Sequence, residues 1–111
     1  MLKRFGVILI ALAAATSAVA SAGTFGPAAD VAAVRATHHQ LKPGQQIGEI
    51  HVAGNYAVLE ASQGEDDWVA LYARTSGKWR LVNETGGMYD PSDLVHYGVP
   101  ASTAHQLLTN W

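Results

Sequence analysis

The sequence predicts an α+β domain: an N-terminal helix packed on a four-stranded antiparallel β-meander, followed by two short C-terminal helices. Three observations carry the prediction. Ile47 to Glu84 reads as four short runs rich in β-branched and aromatic residues, separated by Gly-containing turns. Before it, Val31, Val34, His38 and Leu41 fall on one helical stripe. After it, Asp90-Pro91 and Pro100 mark two helix starts.

Strand side chains alternate, so the register of each hairpin decides which set faces the helix. A two-residue Ser76-Gly77 turn would pair Trp79 with Arg74 and Leu81 with Tyr72, mixing apolar and polar on each face. A three-residue Thr75-Ser76-Gly77 loop with a bulge pairs Trp79 with Ala73 and Leu81 with Leu71, which sorts the faces. A three-residue Gly64-Glu65-Asp66 loop and a two-residue Gly54-Asn55 turn extend that register. The expected inner face is then Ile50, Val52, Ala57, Leu59, Ala61, Val69, Leu71, Ala73, Trp79 and Leu81. The expected open face holds Glu49, His51, Tyr56, Val58, Glu60, Trp68, Tyr72, Arg74, Lys78, Arg80 and Glu84.

Residues 1–22 have the three parts of a secretory signal peptide. Lys3 and Arg4 form the positive start, Phe5 to Ala15 the apolar stretch, and Ala20-Ser21-Ala22 a small-x-small cleavage site. The apolar stretch is short for a membrane span, which needs about 20 residues. The expected product is periplasmic or secreted, with no membrane segment in its mature form. Removing 22 of 111 residues leaves 89, a single small domain at 23–111. Losing Lys3 and Arg4 leaves 5 basic against 9 acidic residues, a formal charge of −4. Such a balance argues against nucleic acid as a partner, since phosphate neutralisation needs clustered Lys and Arg. The chain has no Cys, hence no disulfide and no lipidated cysteine.

The N-terminal helix is expected over Pro27 to Leu41, with Asp30 at its positive end and Lys42-Pro43-Gly44 stopping it. Its alanines allow close approach to the sheet. Asp90-Pro91-Ser92-Asp93 opens a helix to Tyr97, stopped by Gly98, and Pro100 opens another with Ala104, Leu107, Leu108 and Trp111 on its apolar stripe. This pair is expected to cover the inner-face edge near Trp79 and Leu81.

The series Gly54-Asn55-Tyr56-Ala57-Val58, Gln63-Gly64-Glu65, Ala70-Leu71 and Gly77-Lys78-Trp79-Arg80-Leu81-Val82 continues through Gly86-Gly87, Leu94, Gly98-Val99-Pro100 and Ala104…Leu107-Leu108. In these segments the chain resembles a group of small exported bacterial proteins of poorly known function, some labelled as associated with copper uptake. The resemblance spans nearly all of 23–111, and its motifs are turns, a strand Trp and a Gly-Val-Pro helix break. The helix-then-meander order also resembles cystatin-like domains. In the group a Cys commonly follows the last strand; here Val82-Asn83-Glu84-Thr85 holds none, which leaves a copper role without that ligand.

Candidate chemistry is sparse. The histidines are His38, His39, His51, His96 and His105, and no pair has the i, i+4 helical spacing that chelates a metal. No metal site and no cofactor are expected; if any imidazole served a metal, His51 on the candidate face would be the one. Glu65-Asp66-Asp67 lacks the spaced oxygens of a calcium loop. Glu49 and Glu60 fall opposite one another in the expected register, which with His51 gives a hydrolase alternative. No Ser sits in a nucleophile elbow. The expected reading is therefore not an enzyme but a small binding module. Its candidate surface is the open face, with His51, Tyr56, Trp68, Tyr72 and Arg80, and its expected partner is another protein or a second copy.

Overall fold

The computed structural model describes residues 24–111. The signal peptide expected at 1–22 lies outside the described residues. The fold is α+β, with a five-stranded, mostly antiparallel sheet in the order β1-β2-β3-β4-β5. The strands are β1 (Thr24–Phe25), β2 (Gln46–Ala53), β3 (Tyr56–Gln63), β4 (Asp66–Thr75) and β5 (Lys78–Thr85). The helices are α1 (Ala28–Leu41), α2 (Pro91–His96) and α3 (Ala101–Leu108). The four-strand expectation is one strand short. β1 is only two residues long, so no periodicity announces it, and it pairs parallel to β2 at Ile50 and His51. No described helix is long and apolar enough to cross a membrane.

Gly26 connects β1 to α1 in close contact with the sheet. Its φ is 116°, and a Cβ there would lie 2.5 Å from the Val52 carbonyl oxygen. Only glycine fits this position. At the other end, the Asp90 N–H donates to Asp93 Oδ2 at 2.8 Å, closing the first turn of α2 as the Asp-Pro-Ser-Asp series implies.

Both faces of the sheet are covered. On one, Val31 and Val34 of α1 pack on Ile50, Val52, Ala57, Leu59, Ala70, Tyr72 and Trp79. On the other, Leu94 of α2, Ala104 and Leu107 of α3, with Val99 and Tyr89, pack on Ala53, Val58, Val69 and Leu71. The C-terminal pair therefore covers the face expected to be open, and not the edge near Trp79 and Leu81.

Two registers differ from expectation. Gln63 pairs with Asp66, leaving a two-residue Gly64-Glu65 turn, and this inverts β4. Thr75 pairs with Lys78, leaving a two-residue Ser76-Gly77 turn, and this inverts β5 again. The two changes cancel for Trp79 and Leu81, which stay on the α1 side, while Ala70 and Tyr72 replace Val69, Leu71 and Ala73 there. The sorting of apolar from polar assumed one solvated face. With both faces covered, Val69 to Tyr72 are all buried and the assumption has no purchase.

Candidate functional site

The α1 side of the sheet is the one that remains partly open. Val31, Val34 and His38 form the buried stripe of α1. Ala33, Thr37 and Leu41 form the adjacent stripe, turned toward β5. Between that stripe and Trp79 and Leu81 of β5 lies a groove of about 730 Å³, with Lys78 and Arg80 at its rim. Leu41 is 51% exposed on its wall. Lys42 Nζ lies 3.2 Å from Glu84 Oε1 and ties the end of α1 to β5.

Arg74 braces the Trp79 floor. Its guanidinium carbon lies 4.8 Å above the Trp79 ring, and its Nη1–H donates to Asp30 Oδ1 of α1 at 2.7 Å. It also donates to Asn55 Oδ1 and the Gly54 carbonyl, so one side chain joins helix, turn and strand.

Beneath α1 runs a buried polar chain. His38 Nδ1 and the Tyr72 hydroxyl are 2.6 Å apart, and His38 Nε2 and Gln45 Oε1 are 2.7 Å apart. The Gln45 carbonyl oxygen can only accept, so Nε2 carries the proton and Nδ1 accepts from the tyrosine. Burial, and secondarily the Glu84 carboxylate, push the Tyr72 hydroxyl above its ordinary pKa, which keeps that donor proton in place.

The five residues expected to share one surface do not converge. His51 is buried on the C-terminal-helix side: Nδ1–H donates to the Leu107 carbonyl at 2.8 Å, and Nε2 meets Glu49 Oε2 at 3.0 Å. Phe25 and Trp111 flank its ring. Tyr56 lies half-buried on that same side, its hydroxyl donating to the Gly98 carbonyl at 3.2 Å. Trp68 and Tyr72 belong to the α1 side because β4 is inverted, Trp68 half-buried opposite Ala61 and Tyr72 fully enclosed. Arg80 alone is exposed, at the groove rim.

Glu49 and Glu60 are not directly opposed. The β2–β3 register shifts between Ile47 and Ile50, which sets Gly48 and Glu49 together across from Glu60. Glu49 serves His51, while Glu60 lies over Gly48, where a Cβ would meet its Oε1 at 2.7 Å. Among the described residues, no three of His, Asp and Glu come together in a group that could hold a metal ion. The hollow beside His51, about 270 Å³ and lined by Thr24, Phe25, Glu49, Thr109 and Asn110, presents no free imidazole nitrogen.

Comparison with protein-family models, with curated proteins and with solved structures finds no match. The groove was missed in the sequence because the C-terminal helices were expected over Trp79 and Leu81. A usable signal existed: Ala33 and Thr37 form a second, small-residue stripe beside the first.

Proposed function

We propose that this chain is a small exported binding module that engages a partner protein through the groove between α1 and β5. The observation that carries the reading is the floor of that groove. Trp79, packed at the margin of α1, and Leu81 both border an open volume of about 730 Å³. A Trp braced by an arginine, with apolar neighbours and a cationic rim, is the composition that concentrates binding energy. Export rests on the signal-like residues 1–22 and places the module in the periplasm or outside the cell. The cystatin-like likeness and the copper-associated group rest on the resemblance alone. The hydrolase alternative has less support, since both His51 nitrogens are engaged, by Glu49 and by the Leu107 carbonyl.

Photo-cross-linking tests this reading. A benzophenone amino acid at Leu41 or Arg80 should capture a discrete partner in the exporting cell. The same group at Val95, exposed on α2, should not. Equal capture from both sides, or capture from Val95 only, overturns the groove as the binding surface.

A further inference from the structure

The free edge of β5 runs along the groove, and its backbone chemistry specifies what fits there. A two-residue hairpin turn makes Thr75 and Lys78 the mutually hydrogen-bonded pair. Alternation then directs the N–H and C=O of Trp79 and Leu81 away from β4, toward the outer edge. The same two residues send their side chains into the α1 cluster and the groove. Backbone donors, backbone acceptors and an apolar trough are thus set side by side over one short stretch. We infer that the groove binds an extended segment of the partner as a sixth strand on β5, with alternate apolar side chains entering the trough and acidic side chains meeting Lys78 and Arg80. This rests on the groove being the binding surface, and it adds the mode and the chemistry of the occupant.

Charge selects the occupant. Lys78 and Arg80 are exposed, are the only charged residues lining the groove, and take part in none of the ion pairs among the described residues. They stand out on a chain whose formal charge is −2. A strand laid against β5 brings its side chains beside these two, so carboxylates are favoured at those positions and cations disfavoured. A second copy fits less well. The antiparallel register that sets Trp79 opposite Leu81 of a second β5 also sets Arg80 against Arg80, placing like charges face to face.

The test pans a randomised library of short linear peptides against the protein, then measures the recovered peptides by titration and by amide shifts of Trp79 and Leu81. The expected sequences alternate apolar and acidic residues. Binding should fall on the order of tenfold in Lys78→Glu/Arg80→Glu, which changes exposed side chains and leaves the thermal midpoint near its original value. N-methylation of the peptide amides that face β5 should abolish binding. Peptides that shift the groove amides but tolerate N-methylation, or carry no acidic preference, overturn the sixth strand and leave the groove as a binding surface. Peptides that bind without moving the Trp79 or Leu81 amides overturn both. A concentration-dependent dimer that persists in Arg80→Glu and blocks the peptides assigns the edge to a second copy and overturns the acidic partner.

Discussion

The two sides of the sheet are built on different plans. On the C-terminal-helix side, Leu94, Val99, Ala104 and Leu107 close over Val58 and Leu71, and all six are nearly without solvent contact. On the α1 side a single helix must cover the same width of sheet. It packs on β2, β3, β4 and Trp79 of β5, and leaves a groove along β5 beside Trp79 and Leu81. The sealed side is held mainly by apolar packing, with His51 bonded to the Leu107 carbonyl as its buried polar contact. The open side carries a His–Tyr–Gln chain at its centre and an Arg–Trp brace at its margin. Both sides contribute buried core, and the α1 side alone leaves a groove beside its core.

The largest test of that contrast deletes the same atoms on each side. Leu107→Ala removes a fully enclosed side chain and should cost about 3–5 kcal/mol, because the surrounding side chains can only partly collapse. Leu81→Ala removes a half-buried side chain at the groove and should cost about 1 kcal/mol, since water can fill the space. Chemical denaturation of the two variants checks the difference. Trp79→Ala belongs with the first group, at about 3–5 kcal/mol, because its side chain is buried against α1 although it borders the groove. Equal costs for Leu81 and Leu107 would mean that the groove is closed in solution.

The next test concerns the two tyrosines, one on each side. Tyr72→Phe leaves His38 Nδ1 buried with no donor and should cost about 1–3 kcal/mol. Tyr89→Phe removes a hydroxyl that donates to the Asn83 carbonyl and Oδ1, and should cost about 1 kcal/mol. Both hydroxyls also make stability depend on alkaline pH. Burial raises each above the ordinary value of 10.0, helped at Tyr72 by Glu84 and at Tyr89 by Tyr97, Glu84 and Asp93. The unfolded chain therefore loses these protons first, and the native state binds more protons above pH about 10. The contribution is fully present below that pH and falls away as pH rises beyond it. Urea midpoints measured across this range should drop steeply in the parent chain and less steeply in each Phe variant.

The sequence made the meander, the three helices and the stops of the first two legible, because each rests on local chemistry: the Gly54-Asn55 turn, Pro27 at the start of α1, Asp90 with Asp93 at α2, and Gly98 after it. It did not make the faces of β4 legible. Trp68 to Ala73 is apolar at every position, so a period of two has no polar phase to anchor it. A three-residue Gly64-Glu65-Asp66 loop puts Tyr72 opposite its true side, which hides its bond to His38 and the link between strand and helix. The pairing that looked mixed is the one that works. Arg74 beside Trp79 is a cation over an aromatic ring that also reaches Asp30, so polar and apolar neighbours satisfy each other. The groove was illegible for a related reason: no local pattern says which face a C-terminal helix pair will choose.

The smallest test returns to the turn that fixes β5, and with it the groove. In the two-residue turn both central residues have positive φ, 53° at Ser76 and 78° at Gly77, the signature of a type I′ hairpin. Serine is strained there, whereas asparagine visits this region several-fold more readily. Ser76→Asn should therefore stabilise the protein by roughly 0.5 kcal/mol, read as a higher urea midpoint with an unchanged slope. The three-residue loop makes a different prediction. There Ser76 would sit in the right-handed region, only Gly77 would be left-handed, and asparagine would bring no gain. Gly77→Ala does not discriminate, since both turns need Gly77 left-handed. Ser76→Asn does, because the sign of a small effect at one exposed residue reports whether Trp79 pairs with Arg74 or Ala73. A neutral or destabilising result would shift β5 by one residue and turn Trp79 and Leu81 away from the groove, removing its floor.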